Sequence, residues 1–176
     1  MQTFLPFESF SLSARILDNK RLNKQIVEAY QILTDRVPNK NHPACLMWAD
    51  CKSTLYVYFD HCCCEYERRF NKNHSLTFKV NPLDYTNTAP YFMEKINSPL
   101  FTLSHRVNLM RKDYNHYSQY IKLEHDISEY PQGYFWPIPN GFKSKENTYD
   151  WLDWWFTNMR LNYEKIMGGV SDPYLY

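Results

Sequence analysis

Glycine is scarce in this chain, at 4 of 176 residues. No glycine-rich loop able to wrap a phosphate is present, and the composition is not that of a collagen-like or low-complexity chain. Charge of one sign is missing too. Lys and Arg number 20 against 19 Asp and Glu, for a net charge of +1, which argues against a binder that works by bulk positive charge. No apolar run approaches the ~18–20 residues that cross a bilayer. The opening Met1-Gln2-Thr3-Phe4-Leu5-Pro6-Phe7-Glu8 has neither a basic stretch nor a continuous apolar one, unlike a secretory signal. The expectation is a cytoplasmic protein without a membrane partner, in the host cytoplasm if the source is viral.

Paired cysteines are also lacking. The five are Cys45, Cys51 and the run Cys62-Cys63-Cys64, an odd count with three adjacent members and no CxxC pair. That is a poor disulfide framework, and free thiols are expected. His61 beside the triplet does not make a metal site, because consecutive helical residues diverge by about 100°. No metal and no cofactor is expected.

Aromatics are abundant: 15 Tyr, 11 Phe and 5 Trp, or 18% of the chain. Such a chain buries a core, and 176 residues suffice for one compact domain. Periodicity predicts a helix over 13–34, with Leu22, Ile26, Ala29 and Leu33 on its apolar stripe. A longer one is predicted from Pro43 to Phe70, with Met47, Trp48, Cys51, Leu55, Tyr58, Phe59, Cys62, Tyr66 and Phe70 inward. Residues 71–98 are irregular, and 103–112 form a shorter helix with Leu103, Val107 and Met110 inward. Residues 126–145 read as an ordered loop rich in proline and aromatics. A last helix over 146–167 puts Leu152, Trp155, Phe156, Met159 and Ile166 on one side and stops at Gly168-Gly169. The fold class expected is mainly α: one compact helical domain over 1–176 with long ordered Pro- and aromatic-rich loops.

The near-zero net charge hides an asymmetry. Residues 1–125 carry 16 Lys and Arg against 12 Asp and Glu, whereas 126–176 carry 4 against 7. Two basic clusters stand out, Arg15/Lys20/Arg21/Lys24 and His105/Arg106/Arg111/Lys112. Either is a solvated helix face or a grip on an anion, since a few phosphate contacts give appreciable affinity.

Three blocks carry a resemblance. The first is Met1-Gln2-Thr3-Phe4-Leu5-Pro6 with Ser13-Ala14-Arg15-Ile16-Leu17-Asp18-Asn19-Lys20-Arg21-Leu22-Asn23-Lys24-Gln25-Ile26-Val27-Glu28-Ala29. The second is Asn41-His42-Pro43-Ala44-Cys45-Leu46-Met47-Trp48, and the third Ser104-His105-Arg106-Val107-Asn108-Leu109-Met110-Arg111-Lys112-Asp113 with His116-Tyr117. Together, over residues 1 to about 138, they resemble the bacterial and phage pyrimidine-dimer DNA glycosylases, the phage-type endonuclease V enzymes of DNA repair.

The resemblance implies a monomeric, metal-free helical enzyme that cuts the glycosidic bond of a damaged pyrimidine in duplex DNA. The strand is then nicked at the abasic sugar by the associated lyase activity. The family's nucleophile is the terminal α-amine, which forms an imine with C1′, assisted by a glutamate on the first helix. By position these are Met1 and Glu28. The chemistry is sound, because an α-amine of pKa about 7.7–8.0 is far more often neutral at physiological pH than a lysine at about 10.4. Glu28 also stands four residues after Lys24, where an ion pair contributes only ~0.2–0.5 kcal/mol. Two positions depart from the family pattern. Gln2 replaces a small residue, so that Met1 keeps the terminal amine, and Val27 replaces an arginine flanking the glutamate. Two other activities remain open: a non-catalytic DNA-binding protein of this fold, and an excision or modification enzyme for a modified pyrimidine in viral DNA.

Expected DNA contacts are Arg21, Lys24, Gln25, His42, His105, Arg106, Asn108, Arg111 and Lys112. For the third block, with Ser104 as a possible helix cap, there are two readings. It is an anion site, or a buried polar network tying its helix to the loop at 131–139. His42 is either a helix-start residue or a site-lining group. Tyr134 and Trp136 either stack on an extruded base or pack in the core.

Overall fold

Ser9 opens the first helix, α1 (Phe10–Ile16), by accepting from the Leu12 N–H at 3.2 Å. The structure, a computed structural model, describes residues 2–81, 84, 98–136 and 150–158. The helix expected over 13–34 is in fact two, α1 and α2 (Asn19–Leu33). Asp18 divides them: its carboxylate accepts from the Arg21 N–H at 3.0 Å and caps α2. Such a cap is worth about 1 kcal/mol. The α2 stripe is as expected, with Leu22, Ile26, Ala29 and Leu33 buried, but Gln25 and Glu28 are buried beside it.

The helix expected over 43–70 is likewise split, into α3 (Pro43–Trp48) and α4 (Lys52–Phe70). Cys51, at φ −139° and ψ 42°, interrupts the helical path. The break frees α3 to present Trp48 both to Thr3 and, stacked, to Tyr58 (ring centroids 6.4 Å apart), while α4 packs against α1 and α2. Asn71, in the left-handed region at φ 51°, ends α4. Just before it, Arg69 reaches back to the carbonyls of Leu17 at 2.6 Å and Arg15 at 2.8 Å, closing the C-terminal end of α1.

A 3-10 turn spans Thr77–Lys79. Helix α5 (Pro99–Lys112) begins four residues earlier than expected, because Pro99 occupies its first turn. Ser104 is therefore not a cap. It lies mid-helix, fully buried, and donates to the Phe101 carbonyl at 2.9 Å. A short α6 (Tyr114–Tyr117) follows, then a 3-10 turn at Ile127–Glu129 fastened by a capping box between Asp126 and Glu129. Residues 150–158 form α7. There Trp151 is buried and Phe156 is 67% exposed, so the inward face is rotated from the one expected. The rest of the helix expected over 146–167, its glycine stop and the loop at 137–145 lie outside the described residues.

The fold is mainly α, with no strand among the described residues. Its core holds the aromatic excess: Trp48, Trp136, Trp151, Tyr58, Tyr117, Phe59 and Phe101 are all fully enclosed. Trp136 is thus a core side chain and not a platform offered to an extruded base. The cysteines are free thiols, four of them buried. Burial pushes the Cys63 thiol up to about 12. No helix among the described residues is long and apolar enough to cross a membrane.

Candidate active site

Helix α2 places Lys24 and Gln25 one turn before Glu28, and residues 2–4 lie against Gln25 and Glu28. The Gln2 N–H donates to Glu28 Oε2 at 2.8 Å. Gln25 uses both ends of its amide on the same segment. Its Oε1 accepts from the Phe4 N–H at 2.7 Å, and its Nε2 donates to the Gln2 carbonyl at 2.8 Å. Gln25 is fully buried, so the expectation that it meets DNA is corrected: it holds backbone. Glu28 is only 6% exposed, yet one edge reaches the surface, where Lys24 Nζ stands 3.7 Å from Oε1. That lysine side chain is 61% exposed, so the pair adds little stability and leaves the ammonium available to an outside anion.

Around this pair the expected residues fall into different places. His42 caps α3, its Nδ1 accepting from the Ala44 N–H at 3.1 Å, and its ring meets Trp136 edge-on at 6.4 Å. That is the helix-start arrangement. Burial pushes the Cys45 thiol up, and the Glu28 charge adds to the shift. Arg21 pairs with Asp18 and lies over the Tyr117 ring at 5.6 Å, while the Tyr117 hydroxyl donates to Asp18 at 2.7 Å. Partial burial opposes ionisation of Asp18, but the bonds from Arg21 and Tyr117 outweigh it and hold the carboxyl below its usual range. Arg21 is consequently a half-buried structural partner, unlike the exposed Lys20 and Lys24.

The family model for pyrimidine dimer DNA glycosylase matches residues 1–78. Over this stretch the chain is similar to that family. The family is one of enzymes, DNA glycosylases, and its partner is DNA. No curated protein and no solved structure matches the chain. The matched stretch contains Glu28, Gln25, Lys24 and His42. Met1 falls within it too, but lies outside the described residues.

The third block of the chain lies beyond the match and has a different character. Arg111 donates to the carbonyls of Ile127 at 2.9 Å, Tyr130 at 2.7 Å and Pro131 at 2.8 Å. Asn108 donates to Ser104 at 2.8 Å and also to Gly133, whose φ of 74° suits glycine. His105 is fully buried, and its Nδ1 accepts from the Leu5 N–H at 2.9 Å. Arg106 is half-buried and its Nε finds no partner among the described residues. Only Lys112 is exposed. Of the two readings, the buried polar network fits these placements. His105 is out of reach of a phosphate, and Asn108 and Arg111 spend their donors on the loop.

Tyr58, Trp48 and Thr3 support the site and were not foreseen from sequence. Tyr58 was hidden within a regular apolar stripe. Its one signal is the hydroxyl, since a buried tyrosine needs a partner for it.

Proposed function

We propose that this chain is a DNA glycosylase with abasic-site lyase activity on pyrimidine lesions, working through an imine on the terminal amine. The observation that carries this reading is the bond from the Gln2 N–H to Glu28 Oε2 at 2.8 Å, within the stretch matched to the glycosylase family. The α-nitrogen preceding Gln2 is three bonds from the Gln2 nitrogen. Standard bond lengths keep those two nitrogens within about 4 Å in any conformation. That proximity supports Glu28 as the carboxylate that assists the amine.

In this scheme the neutral amine attacks C1′ as the glycosidic C1′–N bond breaks, and the bonding pair leaves with the pyrimidine. Glu28 stabilises the positive charge that develops on the sugar and accepts the proton lost from the attacking nitrogen. Ring opening gives the protonated imine and a hydroxyl at C4′. Removal of a C2′ proton then expels the 3′ phosphate and nicks the strand, and water releases the amine. Lys24 and Lys20, exposed on α2, with Arg15 on α1 and Lys112 on α5, would take up phosphates.

Ultraviolet-irradiated duplex DNA tests the reading. Dimer-dependent nicking by the wild-type chain that Glu28→Gln abolishes supports it. Lesion-indifferent binding without nicking would assign the non-catalytic alternative instead. Nicking of a modified-pyrimidine duplex but not of dimers would move the substrate to modified bases.

A further inference from the structure

We propose that Gln25, Tyr58 and His105 form a buried clamp that positions the start of the chain for attack. All three are positioning residues, and the proposal rests on the terminal-amine reading above. A nucleophile at a chain end has an inherent problem, because the first residues of a domain are poorly ordered unless tied down. Here residues 2–5 are tied at every position. The Gln2 carbonyl accepts from Gln25 Nε2 at 2.8 Å, and the Thr3 hydroxyl accepts from the Trp48 indole N–H at 2.9 Å. The Phe4 N–H donates to Gln25 Oε1 at 2.7 Å. Tyr58 Oη lies 2.9 Å from the Phe4 carbonyl and 2.8 Å from Gln25 Oε1, and can donate to either. The Leu5 N–H donates to His105 Nδ1 at 2.9 Å, across 100 residues of sequence.

The clamp side chains come from three helices, α2, α4 and α5, so the segment is fixed from several directions. Gln25, Tyr58 and His105 are each wholly enclosed, as are Thr3 and Trp48. Apolar side chains of similar size would fill this space without the desolvation cost of buried polar groups. What the polar groups add is register: they bond backbone atoms of residues 2–5 rather than one helix to another. His105 must stay neutral to accept from Leu5. The rings of Phe4, Phe101, Tyr134 and Trp136 around it keep water away, and this burial takes its imidazole down to about 3. The geometric benefit is pre-organisation, where a displacement of about 1 Å can cost about 100-fold in rate.

The test uses Tyr58→Phe, which removes one hydroxyl and keeps the ring, and Gln25→Met, which keeps the volume. The readout is the single-turnover rate of borohydride-trapped adduct on an abasic-site duplex at saturating protein. Duplex affinity, circular dichroism and amide exchange at Gln2, Phe4 and Leu5 are measured alongside. The clamp predicts a fall of about 10-fold or more in adduct rate, unchanged affinity, a folded spectrum and faster exchange at those amides. An adduct rate equal to wild type in both variants overturns the clamp alone. A fall matched by loss of folded protein also overturns it, in favour of a purely structural role. Absence of any adduct with the wild-type chain overturns the terminal-amine reading, and the clamp with it.

Discussion

The Gln2 amide and the Glu28 carboxylate lie 2.8 Å apart across 26 residues of sequence. The charge of Glu28 is thereby turned toward the start of the chain rather than spent on Lys24, whose ammonium is 3.7 Å away and largely in solvent. Gln25, three residues before Glu28 on the same helix, fixes the segment that makes this approach.

Glu28→Gln keeps the shape of the side chain and an acceptor for the Gln2 N–H, so the fold is retained. Nicking in single turnover falls by about 10²–10⁴-fold, the usual range for loss of a positioned acid or base. Duplex affinity at fixed salt changes little. Nicking equal to wild type excludes Glu28 from the chemistry.

Lys20→Ala and Lys24→Ala each weaken duplex binding and each lower the slope of log affinity against log salt by about 1. Titrations across a range of salt concentrations read this directly. An unchanged slope in both variants removes the exposed face of α2 from the DNA interface.

Arg111→Ala behaves differently, although sequence groups it with the DNA contacts. It strips three loop carbonyls of their donor and costs about 1–3 kcal/mol of stability. The salt slope of DNA binding stays that of wild type. Denaturant unfolding and the same salt titration separate the two effects.

Acid weakens the fold through His105. Its imidazole is buried in the native state and held down to about 3, against about 6.5 in an unfolded chain. Between those values the unfolded chain binds the extra proton, so His105 costs stability progressively as pH falls below about 6.5. Asp18 adds a second loss at lower pH. Its carboxyl titrates below the usual range, so its contribution is present above about 3.8 and disappears as pH falls through the lower native value. Urea unfolding from pH 7 to 4 checks the first effect, with a shallower decline expected in His105→Asn.

Helical content and most of the core were legible because burial imposes a period. The stripe of Leu22, Ile26, Ala29 and Leu33 is where that period puts it. Breaks were less legible. The interruption at Asp18 depends on one cap bond, and that at Cys51 on where Trp48 has to go, neither of which changes the apolar spacing. Glu28 stands out through family resemblance and not through pattern, since a glutamate four residues after a lysine is ordinary on a helix. The amide of Gln25 and the imidazole of His105 were misassigned for a related reason. Sequence shows a donor or an acceptor but not whether its partner is a phosphate or a backbone group in the core.

Peptide mapping of the borohydride-trapped protein–DNA adduct tests the central claim most directly. The DNA is expected on the peptide that begins at Met1, attached through the α-nitrogen, and blocking or extending that terminus is expected to abolish the adduct. An adduct on Lys20 or Lys24, or one that survives a blocked terminus, contradicts the terminal-amine mechanism.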